Sequence, residues 1–100
     1  MAGTHEARLR ELGIELPDQG SGPRAGGNYV PFVVAGDMVY VSGQISQTAA
    51  GPVVGRLGDD MSFEEGAVAA RHCAVSLLTQ LKAACDGDLD RLVRIVKLTG

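Results

Sequence analysis

Tryptophan is absent from this 100-residue chain, and two tyrosines and two phenylalanines are its only aromatic residues. Its core must therefore be aliphatic, and the rings on which nucleic-acid bases stack are scarce. Basic excess is missing too: nine Lys and Arg against twelve Asp and Glu give a net charge of -3, so nothing draws in a phosphate backbone. Nucleic acid is not expected as a partner. No apolar run approaches the roughly 20 residues that cross a bilayer. The opening MAGTHEARLRELG carries Glu6, Arg8, Arg10 and Glu11 and no apolar leader core. These absences predict a cytoplasmic chain with no membrane partner.

Cysteine is nearly as sparse. Cys73 and Cys85 share one helical pattern, about 18 Å apart along its axis at 1.5 Å per residue. A disulfide needs Cα atoms within about 7 Å. Free thiols are expected, and no metal-ligand spacing occurs.

What is present is ordinary globular composition, 45% hydrophobic and 21% charged, sized for a single domain over residues 1–100. Residues 1–17 read as an N-terminal helical extension, Thr4 capping a helix to Leu12 and Gly13 stopping it. Residues 18–27, DQGSGPRAGG, read as a flexible connector. Two strands follow, about 29–34 and 38–42, turning at Ala35-Gly36-Asp37, where Gly and Asp tolerate positive φ. Pro31 has no amide hydrogen, which marks the first strand as an edge.

TAAGPVVGRLGDD (48–60) has glycines at 51, 55 and 58 but neither a Gly-Lys-Ser/Thr ending nor GxGxxG spacing. A short strand or turn is the better reading than a nucleotide loop. Ser62 and Glu65 then form an S-x-x-E capping box. Phe63, Ala67, Ala70, Ala74, Leu77, Leu78, Leu81 and Ala84 recur at three- and four-residue steps. They make one apolar stripe, with Ala70, Ala74, Leu77 and Leu81 expected to be buried. Gly87 ends the helix. A third strand, about 92–98, is apolar on both faces apart from Arg94 and Lys97. Strand, strand, helix, strand predicts an α+β fold with the long helix packed on one sheet face. The other face stays bare, so self-association follows from burial alone.

Few residues invite chemistry. His72 and Cys73 are helix neighbours about 100° apart, which do not face each other; Cys73 inward and His72 outward is the expected arrangement. The acidic groups GDD, EE and DGDLD sit at turns and helix starts, where carboxylates cap amides, and a two-carboxylate hydrolase site lacks support. Arg91, Arg94 and Lys97 read as a solvated edge. Tyr29 and Ser42 differ, because the hairpin brings both to its open end. There a phenol, a hydroxyl and the Gly43 amide can converge on a small polar ligand.

GNYVPFVVAGDMVYVSGQIS (27–46) resembles the first hairpin of the Rid, or YjgF, family of reactive intermediate deaminases. The shared features are a Gly-x-Tyr-Val start, a Gly-Asp turn and a Ser-Gly-Gln-Ile end. The similarity continues through GRLGDDMSFEEGAVAARHCAVSLLTQLKAACDGDLDRLVRIVKLTG, so it covers about residues 12–100, and LGIELP suggests a subgroup with an extended N-terminus. The resemblance implies a chorismate-mutase-like mixed sheet and a homotrimer whose intersubunit clefts are lined by Tyr29, Ser42 and Gly43. It implies hydrolysis of 2-imino and enamine acids to 2-keto acids and ammonia, without a cofactor or metal. The matched stretch ends at the third strand, before the family's second helix and last two strands. There lie the family's glutamate and the arginine whose fork would hold a substrate carboxylate; were this chain active by itself, Arg24 or Arg56 would be the candidates to replace that arginine. Two other readings stand beside this one: a non-catalytic small-molecule binder with the same cleft, and the endoribonuclease activity ascribed to some relatives. Acidity and aromatic scarcity argue against the last.

Overall fold

The computed structural model describes residues 4–16, 29–48 and 50–100; the connector at 18–27, with Arg24, lies outside them. Along the chain come α1 (Thr4–Glu11), β1 (Phe32–Ala35), β2 (Met38–Val41), β3 (Gln47–Thr48), β4 (Gly51–Pro52), α2 (Phe63–Ala84) and a 3-10 turn, Leu89–Arg91.

Local chemistry sets most of these boundaries. The α1 helix ends as the sequence predicts: Gly13 takes φ +70, its amide donates to Arg10 and the Ile14 amide to Leu9. These two bonds make a Schellman motif. The hairpin turns on Gly36 and Asp37, with Gly36 at φ +60 and Asp37 outside the positive region, a pattern that suits a type II′ turn. At the start of α2 the capping box forms in full. The Glu65 amide donates to Ser62 Oγ at 3.2 Å, and the Ser62 amide donates to Glu65 Oε1 at 3.0 Å. Those bonds, the backbone amide first, hold the Glu65 carboxyl below its ordinary pKa.

The end of α2 differs slightly from expectation. Asp86, not Gly87, is the first left-handed residue (φ 57), and Gly87 follows at φ +87. The Asp86 amide donates to Ala83 and the Gly87 amide to Lys82, again a Schellman closure. Aspartate is among the few residues that visit this conformation readily.

β1 and β2 pair antiparallel from Phe32↔Val41 to Ala35↔Met38. β3 and β4 make a separate two-residue ladder, tied by Thr48 Oγ1 donating to the Gly51 carbonyl at 2.8 Å. The expected mixed sheet is therefore corrected to two small antiparallel sheets among the described residues. The reason is the third strand. Residues 92–98 carry no ladder, and Val93, Ile95, Val96 and Leu98 are exposed; an apolar segment becomes a strand only when a partner satisfies its backbone.

The core sits where α1, the last part of α2 and the 3-10 turn meet. Leu9, Leu81 and Leu89 are buried there, with Ile14, Leu16, Val39, Val41, Leu78 and Leu92 packed around them. A second correction concerns α2. Leu81 is buried and Leu77 half-buried, but Ala70 and Ala74 are exposed, and Ser76, Thr79 and Gln80 take the inner positions instead. Thr79 meets the cost by donating its hydroxyl to the Val75 carbonyl at 2.9 Å, a bond within its own helix. His72 and Cys73 are both half-buried, so the expected inward and outward split does not occur, and Cys73 and Cys85 are free thiols. No described helix is long and apolar enough to cross a membrane.

Candidate functional site

The hairpin presents two unlike faces. Val39 and Val41 point to the core. By alternation Val33, Ala35, Met38 and Tyr40 lie on the opposite face, where all four are exposed, Tyr40 by 60%. Cross-strand pairing sets Val33 against Tyr40 and Ala35 against Met38. The bare face inferred from composition is present, and it is apolar.

At its open end stand the residues singled out in the sequence. The ladder runs one step past β2: the Ser42 amide donates to the Pro31 carbonyl at 2.9 Å. Ser42 Oγ then donates to the Val30 carbonyl at 2.6 Å. Gln44 folds back in the same manner, its Nε2 donating to the Ser42 carbonyl at 3.1 Å. Ser-Gly-Gln thus ends the strand by satisfying its last carbonyls with side chains. The register places Ser42 opposite Pro31, so Tyr29, two residues earlier, is its diagonal neighbour and not its direct partner.

Gly43 completes the group. It is exposed, its φ lies outside the left-handed region, and a Cβ added there would meet nothing within 4 Å. Neither turn geometry nor internal crowding requires glycine at 43. Tyr29 is 47% exposed. Because Ser42 spends its proton on Val30, its oxygen faces outward as an acceptor, and donors to a ligand would be the Gly43 amide and the tyrosine phenol. All three groups are neutral.

Arg91 pairs with Asp86 at 2.9 Å, and Arg94 and Lys97 are exposed on the segment that follows the 3-10 turn. Arg56 lies in a turn that its own amide closes by donating to Asp60 Oδ1 at 2.6 Å. No group of three or more metal-ligating side chains occurs among the described residues. Sequence reasoning missed the contributions of Val30 and Gln44 to this end. The signal was the Ser-x-Gln spacing at a strand end, where short polar side chains compete for backbone partners.

Comparison with known proteins gives the context. A family model described as "YjgF/chorismate_mutase-like, putative endoribonuclease" matches residues 6–100. Protein TCP17 of Trypanosoma cruzi is 42% identical over 98 residues, 97% of this chain and 59% of that relative. Among solved structures, Atu1372 of Agrobacterium tumefaciens, a protein of unknown function, superposes with a TM-score of 0.72 at 41% identity. The match covers 90% of this chain and 52% of that one. A Shewanella oneidensis structure described as "a putative endoribonuclease" reaches a TM-score of 0.77 at 36% identity, over 90% of this chain and 58% of its own. The chain thus spans between half and three-fifths of the length of these relatives.

Proposed function

The chain belongs to the YjgF/chorismate-mutase-like family, and on that premise we propose that it contributes to a cytoplasmic deaminase hydrolysing 2-imino and enamine acids to 2-keto acids and ammonia. In this reading the end of the hairpin forms one wall of a cleft completed by a neighbouring subunit of a homotrimer. The observation that carries it is Gly43, an exposed glycine that its own fold does not require, set between a serine acceptor and a tyrosine. A missing side chain there leaves room for a ligand to reach the backbone amide.

Hydrolysis of an imine needs a placed water and proton transfer at carbon and nitrogen. Ser42, its orientation held by Val30, offers a lone pair to orient the water or an N–H of the substrate. The Gly43 amide and the Tyr29 phenol donate to the carboxylate. Neutral donors alone do not offset the desolvation of a carboxylate, so turnover requires a cation as well. In the family that cation is an arginine beyond the region matched here; within this chain the candidates are Arg24 and Arg56. The bare apolar face favours the trimer, since a two-stranded sheet with one naked side is marginal by itself.

The test is release of ammonia and pyruvate from freshly generated 2-iminopropionate. This chain alone is expected to stay at background, and a form carrying the residues that follow in the family to turn over. Gly43→Ala in that active form should leave the melting temperature within about 2 °C, because the added methyl meets open space, and lower kcat/KM at least tenfold. Unchanged turnover in Gly43→Ala would remove the site from the hairpin. A 2-keto acid that binds without turnover in the extended form would support the non-catalytic binder. Cleavage of RNA has the described name of the Shewanella relative in its favour and the net charge of -3 against it. It requires a nuclease activity that survives stringent purification and disappears in Ser42→Ala.

A further inference from the structure

The N-terminus of α1 is capped from the far end of the chain. Thr4, expected to be the cap, is the first helical residue. Asp90 Oδ1 instead accepts from the His5 amide at 2.5 Å and the Glu6 amide at 3.2 Å, the bonds that a helix's own N-cap side chain would make. Three further links surround these. His5 Nε2 lies 2.7 Å from the Leu92 carbonyl, a contact that places a proton on that nitrogen. Glu6 Oε1 accepts from the Leu89 amide at 3.4 Å and pairs with Lys82 at 3.4 Å. Beneath them Leu9, the one buried residue of α1, meets Leu81 and Leu89.

Eight residues with one buried side chain do not sustain a helix in water, because nucleation is too costly for so few backbone bonds. The geometry points to α1 as a conditional element: a strap that is helical when docked and coil when released, with the Asp90 carboxylate as its bolt and Leu9 as its anchor. Release does not require the unfolding of α2, whose hydrogen bonds and caps are its own. It uncovers Leu89, the most buried side chain among the described residues at 2% exposure, and frees the Leu92 carbonyl. The strap therefore couples the N-terminal helix to the direction in which the chain leaves the 3-10 turn.

Amide hydrogen exchange resolved by residue tests this. In Asp90→Ala and in Leu9→Ala, amides from Arg8 to Leu12 should exchange at least tenfold faster than in the parent, while those of Thr79, Gln80 and Leu81 change less than twofold. Unchanged Arg8–Leu12 exchange in Asp90→Ala overturns the proposal. So does acceleration shared equally by α2, since α1 is then no separate element. If Asp90→Ala does not fold, Asp90→Asn carries the measurement, with a weakened acceptor and an expected acceleration of threefold or more confined to Arg8–Leu12. A smaller acceleration, or one shared by α2, overturns it.

Discussion

From Phe63 to Ala74, α2 leaves most of its apolar side chains in the open. Phe63 is 81% exposed and Val68 55%, and Ala67, Ala70 and Ala74 are exposed as well. From Val75 onward the same element buries Ser76, Thr79, Gln80 and Leu81, and its C-cap Cys85 is buried as well. Composition leans the same way, since Leu77, Leu78 and Leu81 fall in the second half and Glu64, Glu65, Arg71 and His72 in the first, but it does not foretell that Ser76, Thr79 and Gln80 lie inside. What separates them is company. The end of α2 is met by the 3-10 turn and by α1, the strap that Asp90 bolts down. At its start the close neighbour is Leu57, lying where a Cβ on Gly66 would be. Burial is a property of the meeting, and the apolar stripe only makes an offer of it.

The largest effect should fall in the closed half. Leu89→Ala leaves a cavity among Leu9, Leu81 and Leu92, and such deletions cost about 2–5 kcal/mol. Phe63→Ala, in the open half, should cost no more than about 0.5 kcal/mol in a monomeric chain. Denaturant titration of both variants under matched conditions checks the contrast. Equal losses would mean that Phe63 is covered in solution and that the two halves are alike.

Assembly sharpens the comparison from the other side. If the bare hairpin face packs against a second and third subunit, Val33→Asp should weaken association by tenfold or more, about 1.4 kcal/mol. Sedimentation at micromolar concentration reads this directly. A parent protein that is monomeric there removes the trimer, and a Val33→Asp form that stays trimeric moves the interface off this face.

A smaller effect than those of Leu89 and of assembly belongs to the capping box of α2, which depends on no distant residue. Ser62→Ala should cost about 1 kcal/mol through the lost cap, read as a shift in denaturation midpoint. Its partner gives the pH dependence. Folding lowers the Glu65 pKa, chiefly through the Ser62 amide, so Glu65 stabilises the fold above its unfolded value of about 4.3. That contribution fades as pH falls through the lowered folded value. The stability gap between the parent and Glu65→Gln should therefore be present at neutral pH and close on acidification. A gap independent of pH would place the effect elsewhere.

Much of the fold was legible because it is local. The Ser62–Glu65 box, the glycine stop at 13 and the Gly36-Asp37 turn each follow from residues within a few positions of one another, where a side chain or a φ angle has little choice. The site was legible as a group of residues, Tyr29, Ser42 and Gly43, but not in detail. That Ser42 would turn to the Val30 carbonyl, twelve residues back in the chain, depends on the register of a ladder. The stripe of α2 has the expected period and is buried as expected at Leu81, but Ala70 and Ala74 are exposed, because periodicity gives a face and says nothing of which neighbour arrives at it.

By itself the sequence determined an α+β order of elements, the caps and turns that start and stop them, the free thiols and a hairpin ending in Ser-Gly-Gln. Only the tertiary structure decided that Asp90 would cap a helix 84 residues away and that Ser76, Thr79 and Gln80 would lie inside. It also decided that residues 92–98 would carry no ladder. The physical reason is range. Caps and turns are closed by atoms a few bonds apart, so their free energy is written into short stretches. Burial and strand pairing need a second segment, and its arrival depends on the loop entropy and the competing contacts of the whole chain.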